Sequence, residues 1–328
     1  MRAIQCNAWG EIEGLVLADL PPPAPPGPGQ IAIEVAAAGV NFADILLVGG
    51  KYQERPIPPF TPGFEVAGRV AAVGPGCSRL KPGDRVLAVL DRGGFAEMAL
   101  ARESDAFLLP AAMDFATAAG FAIAYGTSHG ALTWRAALQP GELLLVLGAA
   151  GGVGLTAIEV GKALGARVIA CAGGAEKLAI AKAHGADYLI DYRQESIRSQ
   201  VQEISEGAGA DVVYDPVGGD GFEQALRATR WGGRLIVVGF AGGKVQQIPA
   251  NILLVKNLAA LGLYWGAYRR HQPALLPPAF AEMFGWWEAG KLKPFISARY
   301  DLAEAKTALR EIAERKATGK IVLITGRA

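Results

Sequence analysis

The sequence predicts an α/β protein with two domains, a β-rich domain and a doubly wound parallel sheet of the Rossmann type. Residues 1 to about 115 give short strands separated by Pro-Gly pairs. From about residue 140, strands alternate with helical patterns. The run 143–154, LLLVLGAAGGVG, joins a strand to a helix through a glycine-rich turn. A chain of 328 residues is long enough for two substantial cores.

The β-rich domain begins with strands whose apolar residues alternate with small or polar ones, as at 31–35. Further short strands are predicted at 64–73 and 85–90. The segment 21–29, PPPAPPGPG, is incompatible with a helix or a central strand and predicts an extended surface loop.

The second half predicts a run of parallel strands joined by crossover helices. These strands are Leu143–Leu147, Arg167–Ala172, Tyr188–Ile190, Asp211–Tyr214, Arg234–Val238 and Leu258–Leu263. The tail adds helices near 274–289 and 302–315 and a strand at 321–324, and we expect it to return to the first domain. The predicted domains are therefore 1–120 with 265–328, and 121–264, with a cleft between them.

Composition argues against several classes of function. The formal net charge is +1, without the basic excess of a nucleic-acid-binding protein. The uncharged stretch 115–134 is poor in Leu, Ile and Val, which predicts a buried inter-domain helix instead of a membrane span. The first residues lack a signal-peptide core, and three distant cysteines give no disulfide framework. We expect a cytoplasmic protein without nucleic-acid or membrane partners.

The glycine turn predicts a cradle for a dinucleotide pyrophosphate. Gly148, Gly151 and Gly154 follow a strand and open a helix, so backbone N–H groups and the helix N-terminus can approach phosphate oxygens. Their spacing is G-x-x-G-x-x-G, which differs from G-x-G-x-x-G. The assignment as a nucleotide-binding motif therefore depends on the flanking strand and helix.

The tip of the second strand favours NADP over NAD. An acidic residue there binds the ribose 2′-OH of NAD, whereas a basic residue accommodates the 2′-phosphate of NADP. This strand ends at Ala172 without a carboxylate, and Lys177 lies in the next helical turn. Tyr192 and Arg193, after the third strand, are candidates to flank the adenosine. The alternatives are a solvated Lys177 and a Tyr192 that only packs.

Two later strands also end in glycine-rich segments, 215–219 and 239–243, at the edge where such sheets bind ligands. Their glycines could simply make turns. We expect at least one segment to contact the nicotinamide half of the cofactor, with Gly239 and Phe240 as candidates.

These motifs resemble a known family. VLGAAGGVGLTAIEVGKALGARVIA, KLAIAKAHGADYLIDYR and DVVYDPVGG are similar to the zinc-independent NADPH:quinone oxidoreductases related to zeta-crystallin, in the medium-chain dehydrogenase/reductase superfamily. AGVNFADILLVGGKY, FTPGFEVAGRVAAVG and KPGDRV resemble the GroES-like catalytic domain of that family. The resemblance covers essentially the whole chain.

The resemblance implies hydride transfer from NADPH to a quinone or an α,β-unsaturated carbonyl, by a homodimer or homotetramer. It also assigns roles to residues: Thr127 beside the cofactor, Gly151, Gly152 and Val153 at the pyrophosphate, Lys177 and Tyr192 at the 2′-phosphate, and Asn41 and Tyr52 in the substrate pocket. Many family members have alanine where this chain has Gly148. Tyr264 is a candidate for the pocket wall, although aromatic core is equally plausible.

A metal site is not expected. Asn41 stands where zinc-dependent relatives have their first catalytic cysteine, and Gly63-Phe64-Glu65 replaces their Gly-His-Glu motif. Phenylalanine cannot bind zinc. The three histidines, at 129, 184 and 271, are scattered and fit packed or surface positions better than ligand positions.

Without zinc, acceptors that delocalise the incoming charge are favoured, since an enone gives an enolate and a quinone gives a hydroquinone anion. Asn41 and Tyr52 are the candidate hydrogen-bond donors to the substrate oxygen, with Tyr52 or water as the proton source. An alkenal or enoyl/acryloyl-CoA-type alkene reductase with weak quinone activity is one alternative. Arg269-Arg270-His271 could meet an anionic tail, although a solvated loop fits better. A nucleotide-binding structural or sensor protein with negligible turnover is the other alternative.

Overall fold

The computed structural model describes residues 1–327. Its strands are β1 (Arg2–Cys6), β2 (Leu15–Asp19), β3 (Gln30–Val40), β4 (Glu65–Val73), β5 (Arg85–Val89), β6 (Met98–Arg102), β7 (Ala106–Leu108), β8 (Leu143–Leu147), β9 (Arg167–Ala172), β10 (Tyr188–Asp191), β11 (Ala210–Asp215), β12 (Thr229–Val237), β13 (Ala259–Gly262), β14 (Ile296–Asp301) and β15 (Lys320–Ile324). The α-helices are α1 (Phe42–Val48), α2 (Phe115–Ala119), α3 (Ala122–His129), α4 (Gly152–Ala163), α5 (Ala175–Ala183), α6 (Ile197–Ile204), α7 (Gly219–Ala228), α8 (Ala250–Lys256), α9 (Tyr268–His271), α10 (Leu276–Glu288) and α11 (Ala305–Ala313).

The chain divides into two compact units. The first contains Met1–Ile123 and the C-terminal segment from Pro294, and the second contains Ala124–Lys293. The first unit is thus discontinuous, with its first boundary close to the predicted one. Residues 265–293 lie in the second unit, whereas the sequence suggested the first. The reason is packing within the second unit, because Trp265 contacts Phe280 on α10 and lies against Gly126 on α3.

The first unit is built on an almost entirely antiparallel sheet with strand order β14-β15-β3-β4-β5-β7, and β6 also pairs with β3. β14 and β15 are parallel. β3 is the longest strand and pairs with β4, β6 and β15, so it places Val40 and Asn41 at the end of the sheet's central strand. The apolar residues of these strands and of α11 form one buried cluster.

The second unit has a fully parallel sheet with strand order β10-β9-β8-β11-β12-β13. All residues of β8 are buried, as expected for a parallel strand covered on both faces. The chain order reverses between β8 and β11, and ligands bind at the carboxyl ends of the strands beside such a switch point. The predicted doubly wound sheet is confirmed.

The uncharged stretch 115–134 forms two helices and a turn, whereas a single helix was predicted. α2 ends at Gly120, where a β-carbon would lie 2.7 Å from the Ile296 side chain. α3 then continues into a π-helical turn over Gly130–Arg135. Across residues 1–327, no helix is both long and apolar enough to cross a membrane.

Candidate active site

The glycine turn of the second unit has the geometry of a phosphate cradle. Gly148 follows β8 with φ +60°, and Gly151 is the N-cap of α4. A β-carbon on Gly154 would lie 2.2 Å from the carbonyl oxygen of Gly148, so the helix packs directly on the turn. The N–H groups of Gly152 and Val153, in the first turn of α4, have no acceptor within the helix. They are the groups available to an anion.

The carboxyl ends of β9 and β10 bring two predicted residues, Tyr192 and Arg193, into one corner. A β-carbon on Gly173 would lie 2.7 Å from Nε of Arg193 and 2.8 Å from Oη of Tyr192, so both side chains rest on this glycine. Gly174, with φ +95°, caps α5, whose first turn carries Lys177. We call this corner, formed by Tyr192 and Arg193 beside the first turn of α5, the basic corner; a guanidinium and a phenol are groups that can bind a phosphate.

Asp191 holds the basic corner together, a role that the sequence analysis missed. Its Oδ1 accepts hydrogen bonds from the backbone N–H of Gly174 at 3.2 Å and of Arg193 at 3.1 Å. Tyr192 N–H donates to the Ala172 carbonyl at 3.3 Å. An aspartate at the last position of a strand is the signal that could have revealed it, since such side chains often bond nearby backbone.

The loops after β11 and β12 are joined through Asp215. Its Oδ1 accepts from the N–H groups of Val217 and Gly218, both at 2.8 Å, and its Oδ2 accepts from Nε2 of Gln246 at 2.9 Å. Burial raises the pKa of Asp215, and these backbone hydrogen bonds oppose the shift. The N–H of Gly239 donates to the Asp215 carbonyl at 3.3 Å.

The β12 loop leaves Phe240 39% exposed at the strand ends. Val217 lies over the glycine turn, where a β-carbon on Gly148 would be 2.8 Å from its Cγ2. The three loop regions named from the sequence are therefore neighbours at one edge of the second unit.

Thr127 lies on α3, which is tied to the start of α4 by its neighbour Ser128. The Ser128 hydroxyl lies 2.8 Å from the Thr156 hydroxyl and donates to the Val153 carbonyl at 3.1 Å. The buried indole of Trp265 would contact β-carbons on Gly126 and Gly130, so Trp265 is core and fixes the same helix. Tyr264, the predicted pocket residue, is half-buried.

The first unit holds a buried polar network around Asn41, which is 9% exposed. Its Oδ1 accepts from the Lys320 ammonium at 2.7 Å, and its Nδ2 donates to Oε1 of Glu65 at 2.9 Å. Lys320 and Glu65 form an ion pair of 2.8 Å. Sequence reasoning named Asn41 and missed Lys320, which lies 279 positions away.

Asp44 is fully buried at the start of α1. Its carboxylate accepts from the N–H groups of Asn41 at 2.8 Å and Gly63 at 3.0 Å. Burial raises the pKa of Asp44 to about 7, although these hydrogen bonds and the Lys320 charge act in the opposite direction. Asp44 thus joins the Asn41 segment to the Gly63-Phe64-Glu65 segment.

Tyr52 packs on Phe64, the middle residue of the Gly63-Phe64-Glu65 segment. The ring centroids of Tyr52 and Phe64 are 5.1 Å apart, at 51°. The Trp9 indole lies on Gly50 and donates to the Pro56 carbonyl at 3.1 Å, so it holds both ends of the segment that carries Tyr52.

Within residues 1–327, no group of three or more His, Cys, Asp or Glu side chains is placed to hold a metal ion. His129 bonds Glu282 at 2.8 Å and His184 bonds Glu159 at 2.5 Å, both through ring nitrogens. Residues 269–271 lie on α9 and not in a solvated loop, with Arg269 buried and with Arg270 and His271 exposed.

Known proteins resemble this chain over its whole length. Residues 27–111 match the alcohol dehydrogenase GroES-like domain, and residues 152–280 match the family described as zinc-binding dehydrogenase. The quinone oxidoreductase-like protein 2 homolog of Nematostella vectensis is 44% identical, over 99% of this chain and 89% of its own length. The chain belongs to the quinone oxidoreductase-like family of the medium-chain dehydrogenase/reductase superfamily.

Two further members of the family align with nearly the full chain. The quinone oxidoreductase of Pseudomonas aeruginosa is 36% identical over 98% of this chain and 99% of its own. The crystal structure of Escherichia coli quinone oxidoreductase complexed with NADPH has a TM-score of 0.92 at 32% identity, covering 99% of this chain and 100% of that one. The predicted family and fold class are confirmed. The chain is thus a member of an oxidoreductase family.

Proposed function

We propose that this protein is an NADPH-dependent, zinc-independent reductase of quinones or α,β-unsaturated carbonyls. The observation that carries the proposal is the environment of Asn41. A buried amide, bonded to the Lys320 ammonium at 2.7 Å, stands where the zinc-dependent relatives have a cysteine ligand. The first unit therefore offers a polarised hydrogen-bond donor where those relatives have a Lewis acid.

The second unit fits NADPH. The first turn of α4 would hold the pyrophosphate, and the basic corner would hold the 2′-phosphate, since β9 ends without a carboxylate and Lys177 and Arg193 supply positive charge. Thr127, Gly239 and Phe240 are proposed for the nicotinamide half. When bound, NADPH supplies a hydride.

The acceptor classes follow from the groups that the first unit offers. Hydride added to the β-carbon of an enone leaves an enolate, and hydride added to a quinone leaves a hydroquinone anion. Both spread the charge, so positioning and one or two hydrogen-bond donors suffice. Asn41 Nδ2 is proposed to donate to the substrate oxygen. The Tyr52 hydroxyl or water then supplies the proton that completes the reduction.

The experiment is an acceptor panel with purified, chelator-treated protein, followed by NADPH absorbance at 340 nm. We expect kcat/KM to be higher for quinones and simple enones than for alkenals or acryloyl-CoA, and NADPH to be preferred to NADH. The reverse order of acceptors would indicate the alkene reductase. Tight NADPH binding without turnover on every acceptor would indicate a structural or sensor protein.

We also propose a homodimer or homotetramer, as the family resemblance implies, and a cytoplasmic location, since the three distant cysteines give no disulfide framework. Light scattering after size-exclusion chromatography tests the first, since a mass near 34.2 kDa would show a monomer.

A further inference from the structure

Lys320 is a buried cation with all its protons engaged. It lies at the start of β15, 6% exposed. Its ammonium donates to Oδ1 of Asn41 at 2.7 Å, to Oε1 of Glu65 at 2.8 Å and to the Val40 carbonyl at 3.0 Å. An ammonium has three N–H donors. Lys320 therefore has no proton left for a substrate and can act only through its partners.

Glu65 balances this charge. It is fully buried, and its Oε1 accepts from both Lys320 and Asn41 while its Oε2 accepts from the Ile123 N–H at 2.8 Å. Gly39 makes room for the carboxylate, because a β-carbon there would lie 2.4 Å from Glu65 Oε1. A buried ion pair contributes little net stability, since desolvation offsets the attraction. The ion pair between Lys320 and Glu65 acts here by orienting its neighbours.

The pair fixes the orientation of the Asn41 amide. The amide oxygen faces a cation and the amide nitrogen faces a carboxylate. A rotation by 180° would point the NH₂ group at the ammonium and the oxygen at the carboxylate, and both contacts would be repulsive. The hydrogen-bond network thus selects one of the two amide orientations.

This orientation leaves one amide proton weakly held. Nδ2 of Asn41 lies 2.9 Å from Oε1 of Glu65 and 3.4 Å from the Gly39 carbonyl oxygen, so the N–H that is not bonded to Glu65 has at most this longer contact. That distance is at the outer limit for an N–H···O bond. The Lys320 ammonium, bonded to Oδ1 of the same amide, polarises this second N–H through the conjugated group.

We propose that Lys320 and Glu65 are positioning residues, which present the second Nδ2–H of Asn41 to the developing oxyanion of the substrate. The proposal rests on the proposed function and specifies which atom of Asn41 takes part. Position 64 is phenylalanine and cannot bind a metal ion. The positive charge of Lys320 instead polarises the Asn41 amide, and the amide N–H then donates to the substrate oxygen.

The test is a double-mutant cycle, in which the ion pair is removed in the wild type and in the Asn41→Ala variant. The double variant Lys320→Met/Glu65→Gln removes both charges together, so neither is left buried and unpaired. We expect kcat for quinone reduction to fall about tenfold or more, as for the loss of part of an oxyanion donor. The KM for NADPH should stay within about twofold. In the Asn41→Ala background the same double change should have little further effect.

A second readout does not depend on turnover. In protein labelled with ¹⁵N at asparagine, assigned by comparison with Asn41→Ala, the two Asn41 side-chain protons should be well separated in the proton–nitrogen spectrum. They should move together in Lys320→Met/Glu65→Gln. Equal losses of kcat in both backgrounds, or an Asn41 signal that does not change, would overturn the proposal. Absence of turnover in the wild type would contradict the proposed function, whereas the spectrum would still decide whether Lys320 and Glu65 orient the Asn41 amide.

Discussion

The Tyr192 hydroxyl lies 2.8 Å from the position that a β-carbon on Gly173 would occupy. The phenol and the neighbouring Arg193 side chain therefore both rest on Gly173, whose lack of a side chain gives them space. In a reductase that selects NADPH, this contact shapes the corner proposed for the 2′-phosphate.

Replacement of Lys177 by alanine should weaken NADPH selectively. Loss of one charge-assisted contact to a phosphate should raise the KM for NADPH about tenfold or more, with the KM for NADH little changed. Steady-state kinetics with both cofactors measure this. Lys182→Ala, at the other end of α5, is the matched control and should change neither KM. An unchanged ratio of the two KM values in Lys177→Ala would contradict the assignment.

Gly173→Ala should disturb the same corner without unfolding the protein. The atoms nearest to the new methyl group belong to two long side chains, with Arg193 Nε at 2.7 Å and Tyr192 Oη at 2.8 Å, so these side chains would move and the backbone would stay. We expect a higher KM for NADPH and a free energy of unfolding changed by less than about 1 kcal/mol. Gly262→Ala is the control, since a β-carbon added there would have no other atom within 4 Å.

Gly154→Ala should affect both stability and cofactor binding. Here the methyl group would lie 2.2 Å from a backbone carbonyl, which cannot move alone. We expect a loss of about 2–3 kcal/mol and weak NADPH binding, measured by urea unfolding and fluorescence titration. Gly285→Ala, also on a helix and with open space around it, should be neutral or stabilising by up to about 1 kcal/mol. Equal behaviour of the two variants would refute this role of Gly154.

Asp44 should make stability depend on pH. Burial raises the pKa of Asp44 to about 7 in the folded state, whereas an aspartate in the unfolded state has a pKa of about 3.9. Between these values the folded state binds more protons than the unfolded state, so this group lowers stability as pH rises from about 4 to 7, with no further change above.

Between about pH 4.5 and 7.5, the contribution of Asp44 lowers the free energy of unfolding of the wild type by about 2–4 kcal/mol. The variant Asp44→Asn should lack this loss, which urea unfolding at both pH values measures. Asp220→Asn, whose side chain is 89% exposed, is the control and should keep the wild-type slope. A slope retained in Asp44→Asn would show that other groups cause it.

The parts of this molecule that could be predicted were those encoded locally. Strand β8, the glycine turn and the first turn of α4 are contiguous, and their order in the sequence is their order in space. The absent carboxylate after Ala172 was likewise visible. The family resemblance supplied Asn41, because that residue stands in a motif.

Long-range pairings were not predictable. Lys320 and Asn41 are joined only because β15 pairs with the end of β3, and no spacing rule connects positions 279 apart. The segment 265–293 was assigned to the first domain because the strand pattern ended near 263. Its place is decided by the packing of Trp265 and Phe280, which a pattern of apolar residues does not show.

The most direct test of the account is a single turnover. Protein mixed with one equivalent of NADPH and then with excess quinone in a stopped-flow instrument should lose the 340 nm absorbance in one exponential phase, with one hydroquinone formed per NADPH. The same experiment with NADH should be markedly slower at equal concentration. NADPH that binds but keeps its absorbance with every quinone and enone would contradict the assignment of this protein as a reductase.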